Sequence, residues 1–95
     1  MRDIDNLFGE YVHLKSFPRE ADALYMLRKA ASCVKPMMRK RGWKVGRLSE
    51  FFPEQSNLLG LNIDHGRAIN LRLRHAVDHT QFLRFDQVLD TLLHE

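Results

Sequence analysis

Cysteine is nearly absent from this chain. Cys33 is the single one in 95 residues, which excludes an intramolecular disulfide and a thiolate-built zinc site and makes a reducing compartment the simplest expectation. No apolar run approaches the roughly 20 residues that span a bilayer, so no membrane partner is expected. The start, Met1-Arg2-Asp3-Ile4-Asp5-Asn6, is polar and carries acidic residues where a secretory signal or mitochondrial presequence avoids them. Charge of one sign is not in large excess: 15 Lys and Arg against 12 Asp and Glu leave +3, a mildly basic surface far from a histone-like one. Apolar residues at 44% beside charged residues at 28% are ordinary for a globular chain and argue against extended disorder. The length allows one small domain, because a chain of about 100 residues buries only about 60 to 65% of its unfolded surface.

Residues 1 to 17 show no sustained period and read as a lead-in segment with one short strand around Tyr11 to Leu14. Residues 18 to 95 read as the domain proper. Pro18 suits the first turn of a helix, where its missing N–H is not needed, and Glu20 and Asp22 place negative charge at the positive end of the helix dipole. Leu24, Leu27, Ala31, Val34 and Met38 recur at spacings of three and four, drawing an apolar stripe from about Arg19 to Arg41. Pro36 interrupts the ladder, so the pattern predicts a kink or break near Ser32 to Lys35. Gly42 is placed to close the helix in a left-handed cap, behind Arg39, Lys40 and Arg41.

Beyond Gly42 the period shortens to two. Trp43 and Val45, then Leu59, Leu61 and Ile63, alternate with polar or small residues as half-buried strands do. Asp64-His65-Gly66 is a turn signature, and Ala68 to Arg74 alternates again, with Ile69, Leu71 and Leu73 toward the core and Asn70, Arg72 and Arg74 outward. Residues 58 to 74 therefore read as a hairpin, and His75 to Gln81 as a loop into a terminal helix whose buried stripe is Phe85, Val88, Leu89 and Leu92. The fold class is α+β: a long helix, a small antiparallel sheet with a hairpin, and a second helix.

Four features invite a functional reading. Arg39, Lys40, Arg41 and Lys44, extended by Arg47 and flanked by Trp43, could neutralise phosphates and stack a base, although a cationic helix end is favourable for dipole reasons alone. His75 and His79 stand four apart, the spacing of a metal pair on a helix, but they fall between a strand and a helix. Cys33 lies off the apolar stripe with no activating partner in view. The fourth is the dipeptide His94-Glu95. In an H-E-x-x-H helix two histidines four apart share a face and hold zinc while the glutamate between them polarises water. On the helix predicted here His94 falls opposite the buried stripe, near Gln87 and Asp90, with Glu95 at its edge.

The order Val34 to Val45, then Leu48-Ser49-Glu50-Phe51-Phe52-Pro53, then Asn57-Leu58-Leu59-Gly60-Leu61-Asn62, then Ile69-Asn70-Leu71-Arg72-Leu73-Arg74, and finally Thr91-Leu92-Leu93-His94-Glu95 resembles the WLM family, zinc metalloproteases of eukaryotic nuclei linked to repair of DNA-protein crosslinks and to SUMO and ubiquitin signalling. The likeness extends over about residues 19 to 95. It implies the start of a zincin active-site helix, with His94 as first zinc ligand and Glu95 as general base. It implies protein substrates on DNA, contact with DNA itself, partners in the SUMO or ubiquitin machinery, and a nuclear, and also cytoplasmic, location. The strand Ile69, Asn70, Leu71, Arg72, Leu73, Arg74 would be the edge along which substrate lies.

Catalytic zinc needs three protein ligands and an open position, and the sequence supplies His94 alone at the motif. The expectation is thus an N-terminal fragment of such a protease, cut within its motif, catalytically silent and without tightly bound zinc. The alternatives are a catalytically dead module that binds DNA or protein through the basic patch Arg39 to Arg47, and a plain α+β interaction domain.

Overall fold

The computed structural model describes residues 6–95; apart from Asn6, the polar terminus read above for targeting lies outside the described residues. The elements are β1 (Phe8–Val12), α1 (Glu20–Arg41), β2 (Val45–Glu50), β3 (Gly60–Ile63), β4 (Ala68–Leu71), β5 (Arg74–His75), β6 (Asp78–Phe82) and α2 (Phe85–Leu93). The first strand begins at Phe8 rather than Tyr11, because Phe8 is buried and pairs with Val45.

Four strands form one sheet in the order β1-β2-β4-β3. The expected hairpin is present as antiparallel β3 and β4, but β1 with β2 and β2 with β4 run parallel, so the sheet is mixed rather than antiparallel. The cause is connectivity. A 22-residue helix separates β1 from β2, and a crossover of that kind returns the chain in the same direction. β3 then pairs outside β4 and becomes an edge, which leaves Leu61 and Ile63 at the surface.

The two helices cover one face. From α1, Ala23, Leu27, Ala30, Ala31, Val34 and Met38 are buried; Leu48, Ile69, Leu71 and Leu73 meet them from the sheet side and Val88 and Leu92 from α2. Pro18 stays outside the helix, whose N-cap is Arg19 in the left-handed region. No break occurs at Pro36: α1 stays helical to Arg41. Ser32 and Pro36 are exposed, so water can take the carbonyl that the proline leaves unpaired. Gly42 closes α1 at φ 69°, donating its N–H to the Arg39 and Met38 carbonyls, as its position predicts.

Arg72 and Arg74 do not face out. They are 2% and 0% exposed, because β4 stops at Leu71 and the chain then passes beneath two loops instead of continuing its alternation. Arg72 donates through Nε to the Leu58 carbonyl at 3.1 Å and through Nη2 to those of Pro53 and Gln55 at 2.9 and 3.0 Å, with its guanidinium over the Phe52 ring. Arg74 donates through Nε to Glu50 Oε2 at 2.6 Å and through Nη1 to the Pro18 and His79 carbonyls at 2.6 and 3.0 Å, between the rings of Phe17 and Phe82. The other oxygen of Glu50 accepts the Leu14 N–H. Residues 75 to 81 are not a loop either: β5 and β6 form a small hairpin, Arg74 opposite Phe82 and His75 opposite Asp78.

Candidate functional site

α2 carries the site. Val88 and Leu92 hold it to the core, and α2 ends at Leu93 with His94 as its cap: the His94 N–H reaches the Asp90 carbonyl at 3.2 Å, and the Glu95 N–H makes a turn contact with the Leu92 carbonyl at 3.1 Å. His94 is exposed, and its Nδ1 lies 2.7 Å from the Asp90 carbonyl oxygen. A carbonyl can only accept, so the contact requires Nδ1 to carry a proton, and in the neutral ring Nε2 is left as a free lone pair. That tautomer, fixed by a backbone carbonyl, is the form in which a histidine ligates a metal.

Glu95 rests on β3. A Cβ built on Gly60 would stand 2.6 Å from Thr91 Cγ2 and 3.3 Å from both Cδ and Oε2 of Glu95. Asn62 Nδ2 donates to the main-chain oxygen of Glu95, the last residue of the sequence, at 3.0 Å. A cleft of about 570 Å³ opens here between the ends of α1 and α2 and the β3–β4 turn, and Trp43, Lys44, Asn62, His65, His94 and Glu95 all line it.

His94 fits a zinc site as one ligand, while no group of three His, Cys, Asp or Glu among the described residues is arranged to hold an ion. His75 and His79 lie in the β5–β6 hairpin, where the His79 ring packs edge-on against Phe17 and Phe52. His65 is in the β3–β4 turn at φ 53°. Cys33 is an exposed free thiol.

The structure brings Arg39, Lys40, Arg41, Trp43 and Lys44 together at the end of α1, all exposed. The Arg41 guanidinium sits 5.1 Å from the centre of the Trp43 ring, and Trp43 is 51% exposed, so it is not a core anchor. Arg47 is separate, in a depression shared with Glu10 and Arg67. The strand assignment changes most. Ile69, Asn70 and Leu71 belong to β4, paired on both sides, and Arg72, Leu73 and Arg74 are buried beyond it; the free edge beside Glu95 is β3. Gly60 and Asn62 escaped the sequence reading, although a glycine inside a strand pattern signals a close approach by another chain segment.

Fold and site thus define an α+β domain whose last helix delivers an imidazole and a carboxylate to a cleft beside an edge strand. The chain belongs to the WLM domain family, which it matches over residues 6–95. It is 42% identical over 82 residues to the DNA-dependent metalloprotease WSS1 of Saccharomyces cerevisiae, covering 86% of this chain and 30% of that protein, so it spans under a third of that relative's length. Its structure superposes on the crystal structure of Wss1 from S. cerevisiae with a TM-score of 0.91 at 39% identity, covering 93% of this chain and 69% of that one. Against Wss1 from S. pombe the TM-score is 0.80 at 36% identity, with 93% and 71% covered.

Proposed function

We propose that this chain supplies the first metal ligand, the general base and the substrate edge of a zinc-dependent protease that cleaves proteins held on DNA. The observation that carries the reading is the placement of His94 and Glu95 together at one cleft, with Nε2 of His94 free and the Glu95 carboxylate against an open strand edge.

His94 would hold zinc through Nε2, together with ligands outside the described residues. Zinc, when bound, supplies Lewis acidity to the scissile carbonyl and to water. Glu95 accepts the proton of the attacking water and hands it to the departing amide nitrogen. The substrate backbone, extended, pairs with β3 rather than with Ile69 to Arg74, because among the described residues β3 is the strand with an open edge next to Glu95. Trp43 and the cations Arg39, Lys40, Arg41 and Lys44 take the DNA: phosphates on the cations, an exposed base on the indole. Because Trp43 and Lys44 line the same cleft as Glu95, DNA bound there lies beside the protein to be cut. The DNA-dependence of the S. cerevisiae relative supports this arrangement. Family resemblance is the sole support for SUMO or ubiquitin machinery as partners and for work in the nucleus.

The test is proteolysis by the zinc-loaded native protein carrying this chain, with single-stranded DNA present. Cleavage should require metal and DNA and should vanish in Glu95→Gln with zinc content unchanged; cleavage that survives Glu95→Gln overturns the reading. The exposed Trp43 cluster favours one second reading, a DNA-binding module without catalysis, which salt-sensitive DNA binding with no metal-dependent cleavage would support.

A further inference from the structure

Between Ala23 and Ser49 the sequence holds eight of its 15 Lys and Arg and none of its 12 Asp and Glu. The helix dipole accounts for Arg39, Lys40 and Arg41, because its influence is confined to the last turn of α1. It does not reach Arg28 and Lys29, about three turns earlier. At about 100° per residue, Tyr25, Arg28, Lys29, Lys35, Arg39 and Lys40 share one arc of α1, opposite the row that runs from Leu27 through Val34 to Met38 into the core. Tyr25 is 65% exposed, and Arg28, Lys29 and Lys40 are exposed beside it. A helix face that is only solvated mixes the two signs, since opposite charges four apart attract and like charges repel.

These cations are placed without being neutralised. The Arg28 guanidinium lies 5.2 Å from the centre of the Tyr11 ring, Lys29 Nζ 4.4 Å from that of Phe85, and Arg41 packs on Trp43 in the same way. A ring orients a cation through its quadrupole and leaves the charge whole. Among the described residues none of Arg28, Lys29, Lys40, Arg41 and Lys44 forms an ion pair. Asp86, on the neighbouring helix, is engaged by Arg84 at 3.1 Å. The arc stops at Asp22, which pairs with Arg19 at 2.9 Å.

We propose that the outer arc of α1 continues the DNA site as a track, along which the phosphates of a single strand run from the Trp43 cluster to Tyr25. This rests on the reading of the Trp43 cluster as a DNA site. From residue 25 to residue 41 the helix rises about 24 Å, the length of about seven nucleotides in a stacked strand. An exposed ring stands at each end, Tyr25 and Trp43, and each offers a face to an unpaired base. That pairing of rings with a row of one-sign charge favours a nucleic acid over an acidic protein, which brings carboxylates but no bases to stack. Trp43 and Lys44 line the cleft, so one end of the track opens at the site where protein is cut.

The experiment measures binding of labelled thymidine oligonucleotides to the native protein carrying this chain, by anisotropy across a salt series. Two lengths serve, about 4 and about 12 nucleotides, shorter and longer than the track. Arg28→Gln with Lys29→Gln should weaken the longer strand on the order of tenfold and flatten its salt slope by about 1.4, two phosphates at about 0.7 each. The shorter strand, held by the Trp43 cluster alone, should bind as before. Arg28→Lys with Lys29→Arg keeps both charges and should match wild type, and every variant should melt within a few degrees of it. Tyr25→Ala should weaken the longer strand about tenfold with its salt slope intact, because stacking releases no counterions. If Lys40→Glu weakens both strands while the Arg28, Lys29 and Tyr25 variants bind the longer one normally, the track is overturned and the cluster stands. If wild type binds neither strand, the DNA reading falls with it. Polyglutamate that displaces the longer strand at equal charge would make the partner an acidic protein and equally overturn the proposal.

Discussion

Arg74 Nε lies 2.6 Å from Glu50 Oε2 with neither side chain exposed at all. The pair ties the segment between β1 and α1 and the end of β2 to the β5–β6 hairpin, since Glu50 also holds the Leu14 N–H and Arg74 the Pro18 and His79 carbonyls. Arg74→Ala should destabilise the domain by about 3–5 kcal/mol, because it leaves a buried carboxylate without its counter-charge. Replacing both partners by apolar residues, as in Glu50→Leu with Arg74→Met, should recover part of that loss. Urea unfolding of the two single variants and the double variant reads the coupling; additive effects would contradict it.

Arg72 spans three carbonyls of residues 53 to 58 with one planar fork, a geometry that lysine cannot copy. Arg72→Lys should cost roughly 2 kcal/mol and speed amide exchange at Leu58, whose N–H closes the turn onto Gln55. Burial lowers the Arg72 pKa by penalising the charged form, yet an arginine stays protonated at any pH the fold survives. The loss should accordingly be the same at pH 5 and pH 8.

Gly46 has no room for a side chain: a Cβ there would run into the Arg67 carbonyl oxygen, just as one on Gly9 would meet that of Gly46. Both glycines lie where neighbouring strands press together, and the obstacle is backbone that cannot swing aside. Gly46→Ala is expected to destabilise by about 2 kcal/mol or more, read as a lower melting temperature. Gly42→Ala should fall short of that, because a Cβ at Gly42 meets nothing within 4 Å and bears only the strain of positive φ.

Thr80 bonds Asp78 through both its hydroxyl, at 2.6 Å, and its N–H, at 3.0 Å. These bonds, the side-chain one first, hold the Asp78 carboxyl below the usual aspartate range, with His79 and His75 adding to the effect. A carboxyl lowered by folding stabilises the fold above its unfolded pKa, and that contribution fades as pH falls through the folded value. Thr80→Val should therefore raise the Asp78 pKa in an NMR titration. The gap in melting temperature between wild type and variant should be widest near neutral pH and shrink in acid.

Trp43 is the sole tryptophan, so its fluorescence reports on the basic cluster without a label. Single-stranded DNA should quench it, and affinity should fall steeply with salt as counterions compete. Lys40→Glu should weaken binding and flatten the salt dependence. Trp43→Ala should weaken it with the salt slope intact, because stacking releases no counterions. Equal salt slopes for wild type and Lys40→Glu would remove the cluster from the interface.

Periodicity made the helices and the β3–β4 hairpin legible, since Leu27, Val34, Met38, Ile69, Leu71 and Val88 repeat at the spacing of the face they bury. It also placed Gly42 as a cap and His94 away from the core. Arg72 and Arg74 escaped it. Alternation predicts which face a residue takes only while the strand continues, and β4 ends at Leu71. Their burial depends on carbonyls at Pro18, Pro53 and Gln55, distant in sequence and invisible to any local window. Strand order was hidden for the same reason: nothing near Ile69 says that β2 already occupies one side of it, so the edge was assigned to β4 instead of β3. The β5–β6 hairpin was missed because its polar, histidine-rich strands have no apolar alternation to read.

The parallel pairing of Phe8 with Val45 brackets the whole of α1. Two ribbons so far apart along the chain must find each other before either gains from the match, so loop-closure entropy slows assembly relative to a simple helical bundle. Until β1 arrives, one flank of β2 carries naked amide and carbonyl groups, an invitation to strand exchange between nascent molecules. Shortening the N-terminus through Val12 would make that transient hazard permanent.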